Sequence, residues 1–430
     1  MTFAVRTLFW AEPLAVAAGL ADRDGTLCLL SDGGPHGRFS YVACAPFEVV
    51  IAPMDPAAPF GALAGMDRLV VGAISYDAGA RIATGIRAPA TGDWPDLMLA
   101  QYPALLVFDH ATRTLSAVGS SEAALDLAEG WAAKAEPPLS PFPPAVGFHP
   151  EGSAADYRAA VADVVGRIAA GELFQANIAR SWAGDLHDGA DPFDVFVRLA
   201  QGAAPYGAFW RLGERVIVSN SPELFLTFDP YSRRIETRPI KGTRPRDLEP
   251  VIDAANAADL VASEKDRAEN LMIVDLMRND LSRVARPGSV AVDKLFALES
   301  FATVHHLVST VVGEARPDIG PADLLAATFP PGSITGAPKH QAMKVIAQHE
   351  PPRGAWCGSL FLLDGEARLT ASVLIRTLSF WRDDDRWAYR TLAGAGIVAD
   401  SVPADELAET DAKIAAIRAA LIGDASASDI

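Results

Sequence analysis

The chain has 430 residues, half of them hydrophobic, which is enough to bury a large core and is compatible with two or three domains. With 37 basic against 54 acidic residues its formal net charge is -17, so it repels polyanions on average. That excludes a general nucleic-acid or anionic-membrane surface and requires any anionic substrate to meet a local cluster of donors.

The first 130 residues read as short strands and turns: TLCLLSDGGPHGRFSYVACAPFEVVIA mixes β-branched and aromatic residues with Gly-Gly-Pro, and YPALLVFD follows. The proline-rich stretch AAKAEPPLSPFPPAVGFHPEG is the linker, separating a region 1–145 from a region 150–422. Ser153 opens a helix with Tyr157, Val161, Val165 and Ile168 on one face and Gly171 near its end. Strands are expected in FQANIARSW, GAFWRL, RVIVSN, LFLTFD and RRIETRPI. A long helix then runs through VASEKDRAENLMIVDLMRNDLSRVA, with Ser263 and Asp266 at capping-box spacing. Further strands follow in ALESFATV, WCGSLFLLD, ARLTASVLIRTLSF and WAYRTLAGAGIV. The last helix starts at Pro403 with the stripe Leu407, Ile414, Ile417 and Leu421, and 423–430 is a frayed tail. The expected class is α+β with large antiparallel sheets.

Cys28, Cys44 and Cys357 are widely spaced and follow no metal or Cys-x-x-Cys pattern, which points to a reduced, cytoplasmic protein. No apolar run reaches the roughly 20 residues of a membrane span.

Five groups of residues carry chemistry. Asp266 with Glu269, and Glu406 with Glu409, are acidic pairs one helical turn apart. They are either solvated faces with Lys265 and Lys413 as partners, or, if the helices converge, oxygen ligands for a hard cation such as magnesium. FPPGSITGAPK and LAGAGIVADS are either tight turns or backbone cradles for an anion. His305 and His306 lie on an alternating strand, so only one can face a given pocket. Arg376, in an apolar strand, needs either an internal acid or a ligand carboxylate. Lys241 in RPIKGTRPR is either a charged anion contact or a nucleophile. Being half neutral near pH 7 needs a downward shift of about 3 units from the usual lysine value. Burial, with Arg238 and Arg244 nearby, pushes that way.

In this order, GELFQANIAR, SPELFL, TRPIKGTRPR, KDRAENLMIVDLMRNDL, ESFATVHHLVSTVVG, FPPGSITGAPKHQAM, GAWCGSL, IRTL and GAGIVADSVPADELAETDAK resemble the chorismate-utilising enzymes. That family includes anthranilate, aminodeoxychorismate, isochorismate and salicylate synthases. The resemblance covers most of residues 170–415 and extends to LLSDGGPHGRFSYVACAP. It implies an anthranilate synthase component I-like fold: two large antiparallel sheets packed as a sandwich, helices outside, both halves interleaved around one core.

It further implies that Glu269 and Glu409 ligate magnesium, with Asp266 and Glu406 in its water shell. Glu223 is implied as the general acid, with a raised pKa, and His306 as the active-site histidine. Arg376 and the Gly394, Ala395 and Gly396 amides would hold carboxylates, with Thr335, Gly336, Gln175 and Lys413 also lining the substrate. Gln175 stands where water-adding members carry a lysine base. Lys241 stands where anthranilate synthases carry alanine, and matches the nucleophile of aminodeoxychorismate synthases. Trp356 replaces a common tyrosine, Thr370 a common aspartate, and SLFL stands for SIGY.

The implied reaction is chorismate plus ammonia to 4-amino-4-deoxychorismate, toward 4-aminobenzoate and folate. The ammonia would come from a separate glutamine amidotransferase subunit or from solution. Neither a glutaminase nor a fused lyase is expected in the chain. Anthranilate synthesis is the alternative, and a non-catalytic chorismate-binding relative a second one.

Overall fold

In a computed structural model, residues 3–423 are described apart from 35, 56, 64, 67, 88–91, 93, 203, 302 and 303. Beyond the helix-capping Gly423, the expected tail lies outside the described residues.

Two antiparallel sheets organise the chain, and each draws on both ends of the sequence. The first, of 12 strands, runs from Ala4–Leu8 through Thr114–Gly119, Ala104–Asp109, Phe39–Ala43 and Leu27–Leu30. It continues into Tyr206–Leu212, Arg215–Ser221, Thr377–Asp383, Arg386–Ile397 and Gln175–Asp185. The second, of 10 strands, places Ile240–Pro245, Val304–Glu314, Arg234–Thr237, Leu224–Phe228, Leu369–Val373 and Ser359–Leu363 beside Val70–Ile74, Leu97–Gln101 and Glu48–Ala52. The regions on either side of the proline-rich stretch therefore share both sheets.

Strand periodicity decides where the core lies. Val70–Ile74 and Ser359–Leu363 are buried at every position. Val71, Ala73, Leu360 and Leu362 face the layer between the sheets, where Trp210, Val216, Val218 and Phe380 of the first sheet meet them. The alternate residues Val70, Ile74, Phe361 and Leu363 face the opposite way, onto Ile273, Val274 and Met277 of the helix Glu264–Ser282. A strand apolar on both faces is the mark of a sheet covered on both sides.

The expected helix after Ser153 is Ala154–Ala169. Ser153 caps it in a reciprocal box with Asp156, and Gly171 follows at φ 78. The C-terminal helix is Pro403–Ile422, with Ile414, Ile417 and Leu421 buried. The expected acidic helix is Glu264–Ser282, capped at Ser263, which turns to ψ 107 and accepts a bond from the Asp266 amide; a separate helix, Pro250–Ala262, precedes it unforeseen. Two expectations need correction. ARLTASVLIRTLSF is two strands, because Arg376 sits at φ 50 between them. The N-terminal region also holds helices, Pro13–Ala18, Tyr76–Thr84 and Glu122–Ala132, where only strands and turns were expected.

Candidate active site

Residues of both sheets meet around Lys241. The strand Ile240–Pro245 pairs with Val304–Glu314, aligning Ile240 with Val308 but Thr243 with His306, so one extra residue is inserted at Lys241-Gly242. Gly242 takes φ 88, and a Cβ there would lie 2.8 Å from Leu260 and 3.0 Å from Asp266. Only glycine fits both the dihedral and the space. Such a bulge re-aims the neighbouring side chain, which is the local reason for the Lys-Gly pair in PIKGT. Lys241 Nζ comes to 3.1 Å from the position a Cβ on Gly396 would occupy, and Gln175 Nε2 to 2.9 Å from the same point.

Gln175 is wholly buried, and neither atom of its carboxamide has a hydrogen-bond partner among the described residues. Two residues along the strand, on the same face, the Asn177 Oδ1 is also buried and unpartnered. It lies 2.6 Å from the Cβ position of Gly394. Glycines 394 and 396 thus leave a bare strand flanked by two unsatisfied carboxamides, the arrangement expected of a floor that a polar ligand completes. Lys413 donates to the Gly394 carbonyl at 2.9 Å and pairs with Glu409 at 2.6 Å, bracing this strand against the C-terminal helix.

Glu223 is 6% exposed, and burial pushes its carboxyl up to about 7, opposed by Ser333, Lys241 and Lys413. A carboxyl held near neutrality is able to carry a proton. His306 is 2% exposed; burial and the nearby Arg376 charge push it down to about 4, which keeps the imidazole neutral. Its Nδ1 lies 2.9 Å from Thr243 Oγ1, while Nε2 has no partner among the described residues. His305 is the bonded member of the pair, with Ser300 on Nδ1 and Asp253 on Nε2. Among the described residues Arg376 has no carboxylate partner, and burial alone pushes its guanidinium down. No described residue is the internal acid it could have had, and a ligand anion would supply the missing charge.

The acidic pairs do converge. Asn270 pins Glu264–Ser282 to the sheet through Leu307 O and Ser309, so that Glu269, one residue earlier, feels both Glu409 of the C-terminal helix and Lys241. Burial raises the Glu269 carboxyl, and Asp266 and Glu409 add repulsion. Glu406 is buried and accepts from Ser401 at 2.6 Å, while Asp266 is 3.2 Å from Arg244. Among the described residues no three His, Cys, Asp or Glu side chains gather into a ready-formed metal cage.

The arginines expected to push on Lys241 are otherwise engaged. Arg238 pairs with Glu299, and Arg244 with Asp259 and Asp266. The charges that act on Lys241's surroundings are carboxylates instead: Glu223, Glu269 and Glu409 each feel the lysine.

The loop between Thr328 and Lys339 closes the site. Thr335 donates its hydroxyl to Pro331 O and accepts the Asn177 amide on its carbonyl. Gly336, at φ 138, runs so close to the neighbouring strand that a Cβ would strike Gln175 O at 2.1 Å. Ser333, buried in this loop, faces the Glu223 carboxyl and opposes its rise. Trp356 is buried against Gly394 with the Arg353 guanidinium over its ring, and its indole N–H is unpartnered. Thr370 lies on the exposed side of its strand. Sequence reading had missed Asn177 and Ser333. The signal for Asn177 was present, a polar residue two positions from Gln175 on an otherwise apolar strand. Ser333 meets Glu223 only through the tertiary fold.

The three cysteines are buried and unpaired, and burial pushes the Cys28 and Cys357 thiols up, so neither is an activated nucleophile. No helix among the described residues is long and apolar enough to cross a membrane.

Aminodeoxychorismate synthase component 1 of Klebsiella aerogenes is 40% identical to this chain over 348 residues, covering 80% of it and 75% of that protein. Anthranilate synthase component 1 of Aeropyrum pernix is 36% identical, covering 76% of this chain and 72% of that one. Anthranilate synthase component I from Streptococcus pneumoniae superposes with a TM-score of 0.77 at 26% identity, over 91% of this chain and 94% of that one. Its fold is therefore the fold described above. Residues 46–419 match the family described as chorismate binding enzyme, and this chain belongs to it.

Proposed function

We propose that the protein converts chorismate and ammonia into 4-amino-4-deoxychorismate, with Lys241 as covalent nucleophile. The observation that carries this reading is the delivery of Lys241, by its glycine bulge, to the carboxamide-lined glycine strand where Gln175 waits unpartnered. A glutamine cannot deprotonate water, which disfavours hydration of the ring.

The lone pair of the Lys241 nitrogen forms a bond to the ring as the ring double bond shifts and the C4–O bond breaks. The hydroxyl leaves as water with the proton of Glu223, and the lysine nitrogen loses one proton. Ammonia then bonds at the vacated carbon, the double bond shifts back, and the electron pair of the breaking bond returns to Lys241, which takes up a proton as it leaves. The new nitrogen gives up a proton, and water is the only other product. The neutral His306 orients a substrate hydroxyl through Nε2, and Arg376 takes a substrate carboxylate.

The four carboxylates fit magnesium by chemistry. They offer hard oxygen donors from two helices, brought close enough to repel and balanced here by lysines. Glu269 and Glu409 would hold the ion, with Asp266 and Glu406 around its waters. When bound it would neutralise substrate carboxylate charge. A separate glutamine amidotransferase supplies ammonia in this reading, and buried, unpaired thiols suit a cytoplasmic site of action.

Product identification tests the reading. Chorismate, magnesium and an ammonium salt yield 4-aminobenzoate only after a downstream lyase is added; fluorescent anthranilate formed without one sinks the assignment. The bare strand gives a second test. A methyl group on Gly396 meets the side-chain ends of Gln175 and Lys241 first, so Gly396→Ala is expected to fold with little change in Tm. Because it displaces Nζ from its place, turnover falls about 100-fold. Steady-state kinetics beside a melting curve check this, and a fully active Gly396→Ala protein contradicts the assigned position of Lys241.

A further inference from the structure

Lys339 lies outside the residues assigned above, yet its side chain is only 15% exposed. Nζ donates to Asp280 Oδ2 at 2.6 Å and to the carbonyl of Thr328 at 2.9 Å. Asp280 is 4% exposed and sits near the end of the helix Glu264–Ser282, the helix that carries Glu269. Thr328 is the last residue of the helix Pro321–Thr328, and Lys339 the first of Lys339–His349. Thr328 and Lys339 therefore bracket the loop 329–338, and one ammonium joins both its ends to the acidic helix. Inside the bracket the loop is already tight, because a Cβ on Gly332 would come within 2.4 Å of Leu276 and 2.6 Å of Met277 of that helix. Ser333, the next residue, faces the Glu223 carboxyl and opposes its rise.

We propose that Lys339 is a positioning residue, a brace that closes the loop 329–338 against the acidic helix and so sets the Ser333 hydroxyl on Glu223. The buried pair is costly to form, and an uncharged residue of similar volume would fill the space as well. A brace gives the charge a purpose, since an ammonium can satisfy a carboxylate and a helix-terminal carbonyl together.

The inference rests on Glu223 as the proton donor, and its test separates the two ideas. The groups that face Glu223 are Ser333 from the loop, Lys241 from its strand, Lys413 from the C-terminal helix, and Cys357. Lys339 is not among them, so any effect on Glu223 must pass through Ser333. Ser333 opposes the rise of the carboxyl; without its hydroxyl the carboxyl stays protonated to higher pH.

The experiment compares the full chain with Ser333→Ala, Lys339→Met, the double variant and Lys339→Arg, using chorismate, magnesium chloride and ammonium chloride. Lys339→Met is expected to lose about 10-fold in kcat with KM for chorismate little changed, and to move the alkaline limb upward in pH as Ser333→Ala does. The double variant is then no slower than the slower single one, and Lys339→Arg restores the parental limb. Losses that multiply, or a limb unmoved in Lys339→Met, overturn the brace. If Lys339→Met fails to fold, Asp280→Asn takes its place with the same expected shift, and an unmoved limb there counts equally against it. Infrared titration of the Glu223 carboxyl, taken as the difference between parent and Glu223→Gln, reads the same shift without turnover. It judges the brace even if the protein performs another reaction, whereas an alkaline limb that persists in Glu223→Gln counts against the acid assignment alone.

Discussion

Glu223→Gln is expected to lower kcat about 1,000-fold and to make the protein more heat-resistant above pH 7. The two effects have one cause. The carboxyl is buried in the layer where Leu224 and Phe225 also disappear from solvent, and burial lifts it from 4.5 to about 7. A proton held near neutrality is what a general acid needs, and removing such an acid costs roughly 100- to 10,000-fold in rate. The same shift carries a stability penalty. Between 4.5 and 7 the native state retains a proton that the unfolded chain has released, so stability falls as pH rises through that window. Above it the full cost of ionising the buried group, about 3 kcal/mol, weighs on the native state. The value of about 7 already contains the opposing pull of Lys241 and Lys413, so a gain of a few degrees in Tm at pH 8.5 is the expected size, vanishing below pH 4.5. Melting curves across pH, beside the rate profile, check both halves. A rate profile for the parent with no alkaline limb near 7 contradicts the assignment.

Lys241→Ala is expected to cost about 1,000-fold in turnover, roughly 4 kcal/mol of barrier, with chorismate binding much less affected. The residue forms a bond in the proposed reaction rather than merely binding an anion, so its loss is felt chiefly in kcat. A residual rate that rises linearly with ammonium concentration fits direct attack by ammonia in its place. The substitution also removes a cation that acts on Glu223, Glu269 and Glu409, so the alkaline limb of that residual rate moves upward. Turnover within a few-fold of the parent contradicts a covalent role.

The elements legible in the sequence were those with a local stop or start signal. Ser153 and Asp156 announced their helix, and Pro403 with its apolar stripe announced the last one. What escaped had no local signature. Pro250–Ala262 buries only Leu260, so its mostly exposed apolar residues trace no core-facing stripe. The break at Arg376 rests on a left-handed backbone at a non-glycine residue, which an apolar strand pattern conceals. In the site, the ordered motifs marked Lys241, Glu223 and His306, but their surroundings depend on pairings distant in sequence. Arg238 and Arg244 looked like free positive charge beside Lys241 until the fold supplied Glu299, Asp259 and Asp266. The convergence of the acidic helices likewise required Asn270 to lock one of them to the sheet.

The most direct test of Lys241 as the residue that selects the reaction is the mass of the protein during turnover. Chorismate and magnesium are mixed with the protein without ammonia, the reaction is quenched, and peptides are mapped. The account predicts an adduct equal to chorismate less one water, confined to the peptide bearing Lys241 and discharged when ammonium is added. Rapid formation of product on ammonium addition, with no adduct on Lys241 at any time and full activity in Lys241→Ala, would contradict it.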